Sequence, residues 1–287
     1  MPTDRSYRVL AYEFRIASPR GPGAFLHRML APFEDEVASD AARYDFAREP
    51  SEAKPWVVYL DGECMRRGTT QDPVLEFATW HISNRAIASD HGFFAVHAAA
   101  AARGGAGVLL PGPPDAGKST LVAALTRASF SYLTDEAALV DPVDGLLHPF
   151  PRSLGLDRAS VEAVFGPGAQ PKWRTGRQFH VRPSDLRPRA IGRPSPVRFV
   201  IAPRYEAGAV TVLEPMSRAE AVMVLARNAF HLDRFGGAGI DLLGRVVLQA
   251  SCYRLCVGDL DDAVDAVSSV VEAGRRRRPR SAREGAI

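Results

Sequence analysis

Hydrophobic residues recur along the chain in short runs of two kinds, separated by glycine, proline and other turn residues. Runs rich in β-branched and aromatic residues predict strands, and apolar residues three or four positions apart predict helices. The predicted strands cover residues 7–16, 55–60, 98–102, 107–110, 130–134, 197–202 and 253–257. The predicted helices cover residues 24–37, 73–88, 121–128, 218–230, 240–249 and 261–273.

The order of these elements divides the chain into three parts. We expect a small N-terminal α+β layer over residues 1–70, in which Pro32 interrupts the first helix. Over residues 71–273 strands alternate with helices, an order typical of an α/β fold with a mostly parallel sheet flanked by helices. Asp259 is placed to cap the last helix, and the tail at residues 274–287 is expected to be disordered.

Composition narrows the class of protein. The chain has 287 residues, of which 46% are hydrophobic and 24% are charged, as in ordinary globular proteins. No apolar run approaches the ~20 residues that span a bilayer, and the N-terminus lacks the apolar core of a signal peptide. Three cysteines are too few for a disulfide framework. We therefore expect a cytoplasmic protein that is neither secreted, membrane-spanning nor fibrous.

Positive charge is concentrated at the C-terminal end. The tail holds six arginines and one glutamate, whereas the whole chain has a net charge of +3. The first 273 residues therefore carry about −2, which argues against a nucleic-acid-binding surface on the folded body. Lysine is rare throughout, and the chain contains only Lys54, Lys118 and Lys172.

A glycine-bounded loop follows the strand predicted at residues 107–110. Its sequence, G-x-x-x-x-G-K-S, lets backbone N–H groups converge on phosphate oxygens, and the helix after it adds the positive end of its dipole. In this pattern the lysine reaches the β- and γ-phosphates, and the serine hydroxyl can ligate Mg²⁺. Asp115 is expected to point to solvent, away from phosphate. The residues expected to bind the nucleotide are Gly112, Pro113, Pro114, Asp115, Ala116, Gly117, Lys118, Ser119 and Thr120.

Two adjacent acids follow the strand predicted at residues 130–134. Neighbouring side chains at a strand end point apart, so Asp135 and Glu136 can divide two tasks, one holding the metal and one serving the hydroxyl nucleophile. The alternative is a structural turn in which Thr134 or Asp135 caps a helix. His97 also has two interpretations: a packed, hydrogen-bonded residue, or a group on a strand beside that of the phosphate loop.

These motifs resemble a known family. The stretch from His97 to Val140 resembles the HPr kinase/phosphorylase superfamily, whose members carry an upstream histidine, a GKS loop and an acidic pair at the next strand end. More closely, residues 70–268 resemble the bacterial HPr-kinase-related kinases of the A type. The segments that carry this resemblance are LEFATWHISNRAIASDHGFFAVHA, LTDE, HPFPRSL, FHVRP, VRFVIAPRY, LARNAFHL and YRLCVGDLDDAVDAV.

The resemblance implies a P-loop kinase core that uses ATP and Mg²⁺. Lys118 would contact the phosphates, and Ser119 and Asp135 would hold the metal. Glu136 departs from the aspartate that HPr kinases carry at the second acidic position. The resemblance implies catalytic roles for Asp135, Glu136, Lys118 and His97, and Arg152 is added as an expected catalytic residue for the reason given next.

One cation of the related kinases is missing. They often carry a lysine after PFPRPLSL, where this chain has Gly155, Leu156 and Asp157. Arg152 or Arg182 is left to supply that charge, and a purely structural role is an equal alternative for either arginine.

The function that the resemblance implies is phosphorylation of a serine-type hydroxyl on a peptide or protein. Some related kinases phosphorylate the C-terminal serine of a lasso peptide, so a ribosomal precursor peptide is the first expected acceptor and peptide-modifying enzymes are expected partners. HPr kinases are hexamers, which makes a homo-oligomer an option. Neither a membrane nor a nucleic acid is an expected partner.

Other functions stay open. One is an ATP-binding assembly switch without phosphoryl transfer, and another is a kinase that acts on a small-molecule hydroxyl. A decarboxylating enzyme like phosphoenolpyruvate carboxykinase would need metal-ligating histidine and lysine residues that the sequence does not place. Cys252 and Cys256 are expected to be buried on a strand and not metal-bound.

Overall fold

The computed structural model describes residues 3–276, which form three sheets and eight helices. The strands are β1 (Thr3–Val9), β2 (Tyr12–Ser18), β3 (Ala42–Arg48), β4 (Trp56–Leu60), β5 (Glu63–Gly68), β6 (Phe94–Arg103), β7 (Ala106–Pro111), β8 (Ser131–Thr134), β9 (Ala137–Val140), β10 (Leu146–His148), β11 (Leu154–Leu156), β12 (Arg174–Thr175), β13 (Gln178–Val181), β14 (Ser195–Tyr205), β15 (Val212–Pro215) and β16 (Ser251–Val257). The helices are α1 (Arg20–Leu30), α2 (Asp72–Ala88), α3 (Lys118–Arg127), α4 (Arg158–Phe165), α5 (Pro183–Leu186), α6 (Arg218–Arg227), α7 (Leu232–Gln249) and α8 (Leu260–Arg276).

The N-terminal layer is a five-stranded sheet of β1 to β5 in that order, with α1 packed against β1 and β2. The single strand predicted at residues 7–16 is wrong, because the chain turns at Leu10, with a φ of 56°, and returns as β2 antiparallel to β1. Leucine rarely adopts a positive φ, so no local signal marks this turn. The predicted break of the first helix near Pro32 is confirmed, since α1 ends at Leu30 and a 3₁₀ helix covers Ala31–Phe33.

An eight-stranded sheet carries the glycine-bounded loop. Its order is β10-β9-β6-β7-β14-β16-β15, with β8 paired to β6. Among the named strands of this sheet, only the pairings of β14 with β7 and with β16 are parallel, so the expected mostly parallel sheet is wrong. The cause is the short connection at Gly104 and Gly105, both at positive φ, which turns β6 directly into an antiparallel β7.

Helices cover both faces of this sheet, which confirms the expected α/β class. Alternate residues of β6 point to opposite faces, so Ala99 and Ala100 belong to different hydrophobic cores. The core around Ala99 includes Leu125 of α3, and the core around Ala100 includes Val246 of α7. The sheet is therefore buried between two helical layers.

Helix α2 joins the N-terminal layer to the rest of the fold. Pro73 lies in its first turn, as the sequence predicts. Val74, Ala78 and Ile82 of this helix are buried in one hydrophobic core with Tyr44 of β3. This packing holds one side of α2 against the N-terminal sheet. The opposite side of the helix can contact other parts of the fold.

Helix α8 closes the described part of the chain. The backbone N–H groups of Asp261 and Asp262 donate to Asp259 Oδ1 at 2.9 and 3.0 Å, which confirms the predicted cap. The helix extends through Arg276, so residues 274–276 of the predicted tail are helical, and residues 277–287 lie outside the described residues. Within residues 3–276, no helix combines the length and apolar character that crossing a bilayer requires.

The junction between β16 and α8 depends on Gly258. A Cβ there would overlap the carbonyl oxygen of Ala209, so we expect Gly258→Ala to lower the free energy of unfolding by about 2 kcal/mol. The matched control is Gly244→Ala in α7, where no atom lies within 4 Å of the added Cβ and alanine favours the helix by up to about 1 kcal/mol. Urea unfolding measures both changes, and equal stability of the two variants would contradict the contact.

Candidate active site

The loop of residues 112–117 connects the buried strand β7 to the first turn of α3. Gly117 has a φ of 85°, a left-handed conformation that glycine adopts without a Cβ clash, directly before Lys118 begins the helix. Asp115 also has a positive φ and is exposed, as the sequence predicts. The first N–H groups of α3, which have no partner within the helix, therefore lie at this loop and suit an anion.

Lys118 is buried at the loop, with only 6% of its surface exposed. Its ammonium donates to the carbonyl oxygens of Gly112 and Pro113, each at 2.7 Å. Burial lowers the pKa of this ammonium, while the carboxylates of Glu136 and Asp135 oppose the change. The lysine charge is thus held within the loop and close to two acids.

The two acids lie between β8 and β9 and have different surroundings. Asp135 is buried, and the Tyr132 hydroxyl donates to its Oδ1 at 3.0 Å. Burial raises the pKa of Asp135 to about 6, and the neighbouring charge of Glu136 contributes to the rise while Arg152 opposes it. Glu136 has 40% of its side chain exposed. The two acids therefore differ in burial and in contact partners.

Glu136 lies between two cationic or titratable side chains. Its Oε2 is 3.4 Å from the Arg152 guanidinium, and its Oε1 is 3.9 Å from His97 Nε2. His97 lies on β6, which pairs with both β7 and β9, so the interpretation of its strand as a neighbour of the loop strand is confirmed. Burial and the charge of Lys118 lower the pKa of His97, and Glu136 opposes them.

The structure separates the two candidate arginines. Arg152 contacts Glu136, whereas Arg182 forms an ion pair with Asp185 at 3.1 Å. Asp185 is also paired with Arg28 at 2.9 Å, so Arg182 belongs to a structural cluster beside α5. Of the two arginines, Arg152 is therefore the one that joins the candidate site.

One cavity of about 850 Å³ brings most of the predicted site residues together. The two acids line it together with Arg152 and His97. Gly112, Pro113 and Ala116 lie in the loop without lining the cavity, and Thr120 lines it while donating to Ser160 Oγ at 2.8 Å. The predicted site residues that line the cavity are Pro114, Asp115, Gly117, Lys118, Ser119, Thr120, His97, Asp135, Glu136 and Arg152.

Sequence reasoning missed several cavity residues. They include Trp80 of α2, Gln178 and His180 of β13, and Tyr205 of β14. Their signal was present, because all but Gln178 belong to segments with family-like sequence, but those segments gave no chemical role to a particular side chain. Only the folded chain shows that they face the same space as the loop.

The residues present fit a magnesium-bound polyphosphate. Mg²⁺ prefers hard oxygen ligands, and Ser119 and Asp135 offer a hydroxyl and a carboxylate at one cavity. The Thr120 hydroxyl is engaged with Ser160, which leaves Ser119 as the loop hydroxyl for the metal. Lys118 and the N-terminal N–H groups of α3 match the phosphate oxygens in charge and polarity.

Two of the alternatives at these positions can be decided. Thr134 Oγ1 accepts a bond from Glu136 N–H at 3.3 Å, but strand β9 follows, so the helix-cap interpretation of this turn is wrong. Cys252 is buried and Cys256 half-buried on β16, in agreement with a packing role.

Comparisons with known proteins find similarity among solved structures. A scan against protein-family models found no match, and a search of curated proteins found none. Among solved structures, the Hpr(Ser) kinase/phosphatase from Coxiella burnetii is 12% identical, and the match covers 64% of this chain and 97% of that chain with a TM-score of 0.32.

His180 makes the stability of the site depend on pH. Burial, assisted by the charge of Arg152, lowers the pKa of His180 to about 4. In the unfolded chain His180 takes up a proton below about pH 6.5, whereas in the folded protein it does so only near pH 4. The neutral, buried ring therefore stabilises the fold fully above about pH 6.5, and this stabilisation is lost as the pH falls towards 4. On acidification, we expect the free energy of unfolding of the wild type to fall by up to roughly 3 kcal/mol more than that of the His180→Gln variant. Denaturant unfolding at a series of pH values measures this slope, and an unchanged slope would contradict the assignment.

Proposed function

We propose that this protein is a Mg²⁺- and ATP-dependent kinase that transfers the γ-phosphoryl group to a serine-type hydroxyl of a peptide or protein. One observation carries the proposal: the loop lysine, the loop serine and the acidic pair line a single cavity together with Arg152 and His97. A phosphate-binding loop alone supports nucleotide binding. The acids and the arginine beside it support transfer, because phosphoryl transfer depends on positioning and on neutralising charge.

The loop supplies the phosphate-binding part. Lys118 would exchange the carbonyl oxygens of Gly112 and Pro113 for phosphate oxygens, which are stronger partners because they are charged. Ser119 and Asp135 would hold Mg²⁺, and the bound ion supplies positive charge that neutralises the phosphates. Arg152 would add a second fixed cation on the side of the acids.

Glu136 is the proposed base. Its partly exposed carboxylate faces the cavity, whereas Asp135 is buried and bonded to Tyr132. In the reaction, the acceptor oxygen forms a bond to the γ-phosphorus, the bond from that phosphorus to the β–γ bridging oxygen breaks, and ADP leaves. The acceptor proton passes to Glu136. His97, whose lowered pKa favours the neutral ring, would orient this carboxylate.

The acceptor follows from the resemblance given by the sequence motifs. It implies a peptide or protein serine, with a ribosomal precursor peptide as the first candidate and peptide-modifying enzymes as partners. An ATP-binding switch would use the same loop but would move no phosphoryl group. Incubation with γ-labelled ATP and candidate serine peptides separates the two functions, because only a kinase places the label on the peptide.

We expect Lys118→Met to reduce phosphoryl transfer about 100-fold or more, because the variant loses the cation that meets the phosphates. Nucleotide affinity should fall as well, and calorimetry with Mg²⁺-ATP measures it. Lys172→Met is the matched control, since Lys172 lies over the Trp173 ring and does not line the cavity. Equal affinity and turnover in the two variants would contradict the proposed phosphate site.

Arg152 and Arg182 provide a second matched pair. We expect Arg152→Met to lower kcat roughly 100-fold with a smaller change in ATP affinity, because its guanidinium lies beside the proposed base and not at the loop. Arg182→Met should keep kcat close to that of the wild type, since its partner Asp185 is outside the cavity. Steady-state kinetics with labelled ATP tests both, and a larger loss in the Arg182 variant would sink the assignment.

A further inference from the structure

The cavity extends from the phosphate-binding residues along one side of α2. The α2 residues that line it are Glu76, Thr79, Trp80, Ile82, Ser83, Asn84 and Ile87. Glu76, Thr79, Ser83 and Ile87 follow one another at spacings of three or four, which places them on a common side of the helix. The opposite side of α2, which includes Val74, Ala78 and Ala86, is buried against the N-terminal sheet. We call this part of the cavity the α2 arm.

Aromatic and aliphatic residues from other elements complete the α2 arm. Met29 and Leu30 at the end of α1 and Phe33 of the 3₁₀ helix line the cavity together with Phe150. The Phe33 and Phe150 rings have centroids 5.7 Å apart. The arm is therefore walled by the N-terminal layer and by the segment that leads to Arg152.

The α2 arm is connected to the acids through the segment that holds Phe150 and Arg152, both of which line the cavity. Phe150 lies two residues before Arg152, whose guanidinium is 3.4 Å from Glu136. By contrast, Tyr205 packs against the loop: its Cβ lies 3.4 Å from the position that a Cβ on Gly117 would occupy. Phosphoryl transfer requires donor and acceptor on opposite sides of the moving group, so the arm beside the acids belongs to the acceptor.

The α2 arm is walled mainly by apolar side chains. The Thr79 and Ser83 hydroxyls and the Asn84 side-chain N–H donate to carbonyl oxygens of their own helix, at 3.0, 2.9 and 2.9 Å, so these donors are already engaged. The arm contains the carboxylate of Glu76, and none of its described lining residues is a lysine or an arginine. Trp80 is 60% exposed, which is unusual for so large an apolar side chain. An acidic ligand is disfavoured here, and an apolar side chain is favoured.

We propose that the α2 arm binds a large apolar side chain next to the acceptor serine, so that the substrate is a peptide segment with a serine beside an apolar residue. This proposal rests on the proposed kinase function. Trp80 would be the main contact, because exposed tryptophans that line a ligand cavity contribute strongly to affinity when they are covered. A peptide fits better than a small molecule, because Trp80 is largely exposed and a ligand that covers it while reaching Glu136 must extend from the surface into the cavity.

The test measures binding separately from transfer. Fluorescence anisotropy follows a labelled peptide in which alanine replaces the acceptor serine and leucine stands beside it, with a non-hydrolysable ATP analogue present. We expect Trp80→Ala to weaken this binding about tenfold, Trp80→Phe to weaken it less, and nucleotide affinity to stay unchanged. Met223→Ala is the matched control, since Met223 is an exposed large side chain on α6 outside the cavity, and its peptide affinity should equal that of the wild type.

The proposal would be overturned by no binding of the leucine peptide, by equal binding by the Trp80→Ala and Met223→Ala variants, or by equal binding of a peptide with aspartate in place of leucine. Binding of N-acetylserine amide as tight as that of the peptide would also overturn it in favour of a small-molecule acceptor. Labelled ATP with the serine peptide then tests the kinase function by itself. Binding through Trp80 without transfer would refute the kinase alone, and transfer that is insensitive to Trp80 would refute the α2 arm alone.

Discussion

The buried charge of Lys118 is the constraint on which the site depends. An ammonium that is only 6% exposed has lost most of its water, and two neutral carbonyl oxygens replace that hydration only in part. The carboxylates whose charges act on it are those of Glu136, Asp135 and Asp115. A polyanion at the loop would satisfy the ammonium better than the carbonyls do, so the electrostatics of the loop suit a phosphate group.

The candidate site residues meet because β6 pairs with several strands at once. It pairs with β7, which leads into the loop, and with β8 and β9, which flank the two acids. His97 of β6 is therefore brought beside Glu136 without any local signal in the chain. Arg152 arrives from a separate segment and faces the same carboxylate. The result is an acid whose charge is balanced by neighbours but whose side chain stays partly open to a substrate.

The N-terminal layer has a different role from the sheet that carries the loop. Its first five strands and α2 share one hydrophobic core, and the outer side of α2 with Phe33 forms an apolar wall beside the acids. Phosphate chemistry and acceptor recognition would then be supplied by different layers of the fold. Such a division would let the apolar wall change without a change in the loop or the acids, because the two sets of contacts are made by separate elements.

The sequence by itself determined the features that depend on neighbouring residues. The loop from Gly112 to Ser119, the start of α2 at Pro73 and the cap at Asp259 each follow from a local pattern of residue types. Strand direction in the large sheet, the turn at Leu10 and the choice of Arg152 over Arg182 were decided only by the tertiary structure. The physical reason is that pairing direction, a strained turn and an ion pair are fixed by contacts between segments far apart in the chain, which local residue preferences do not specify.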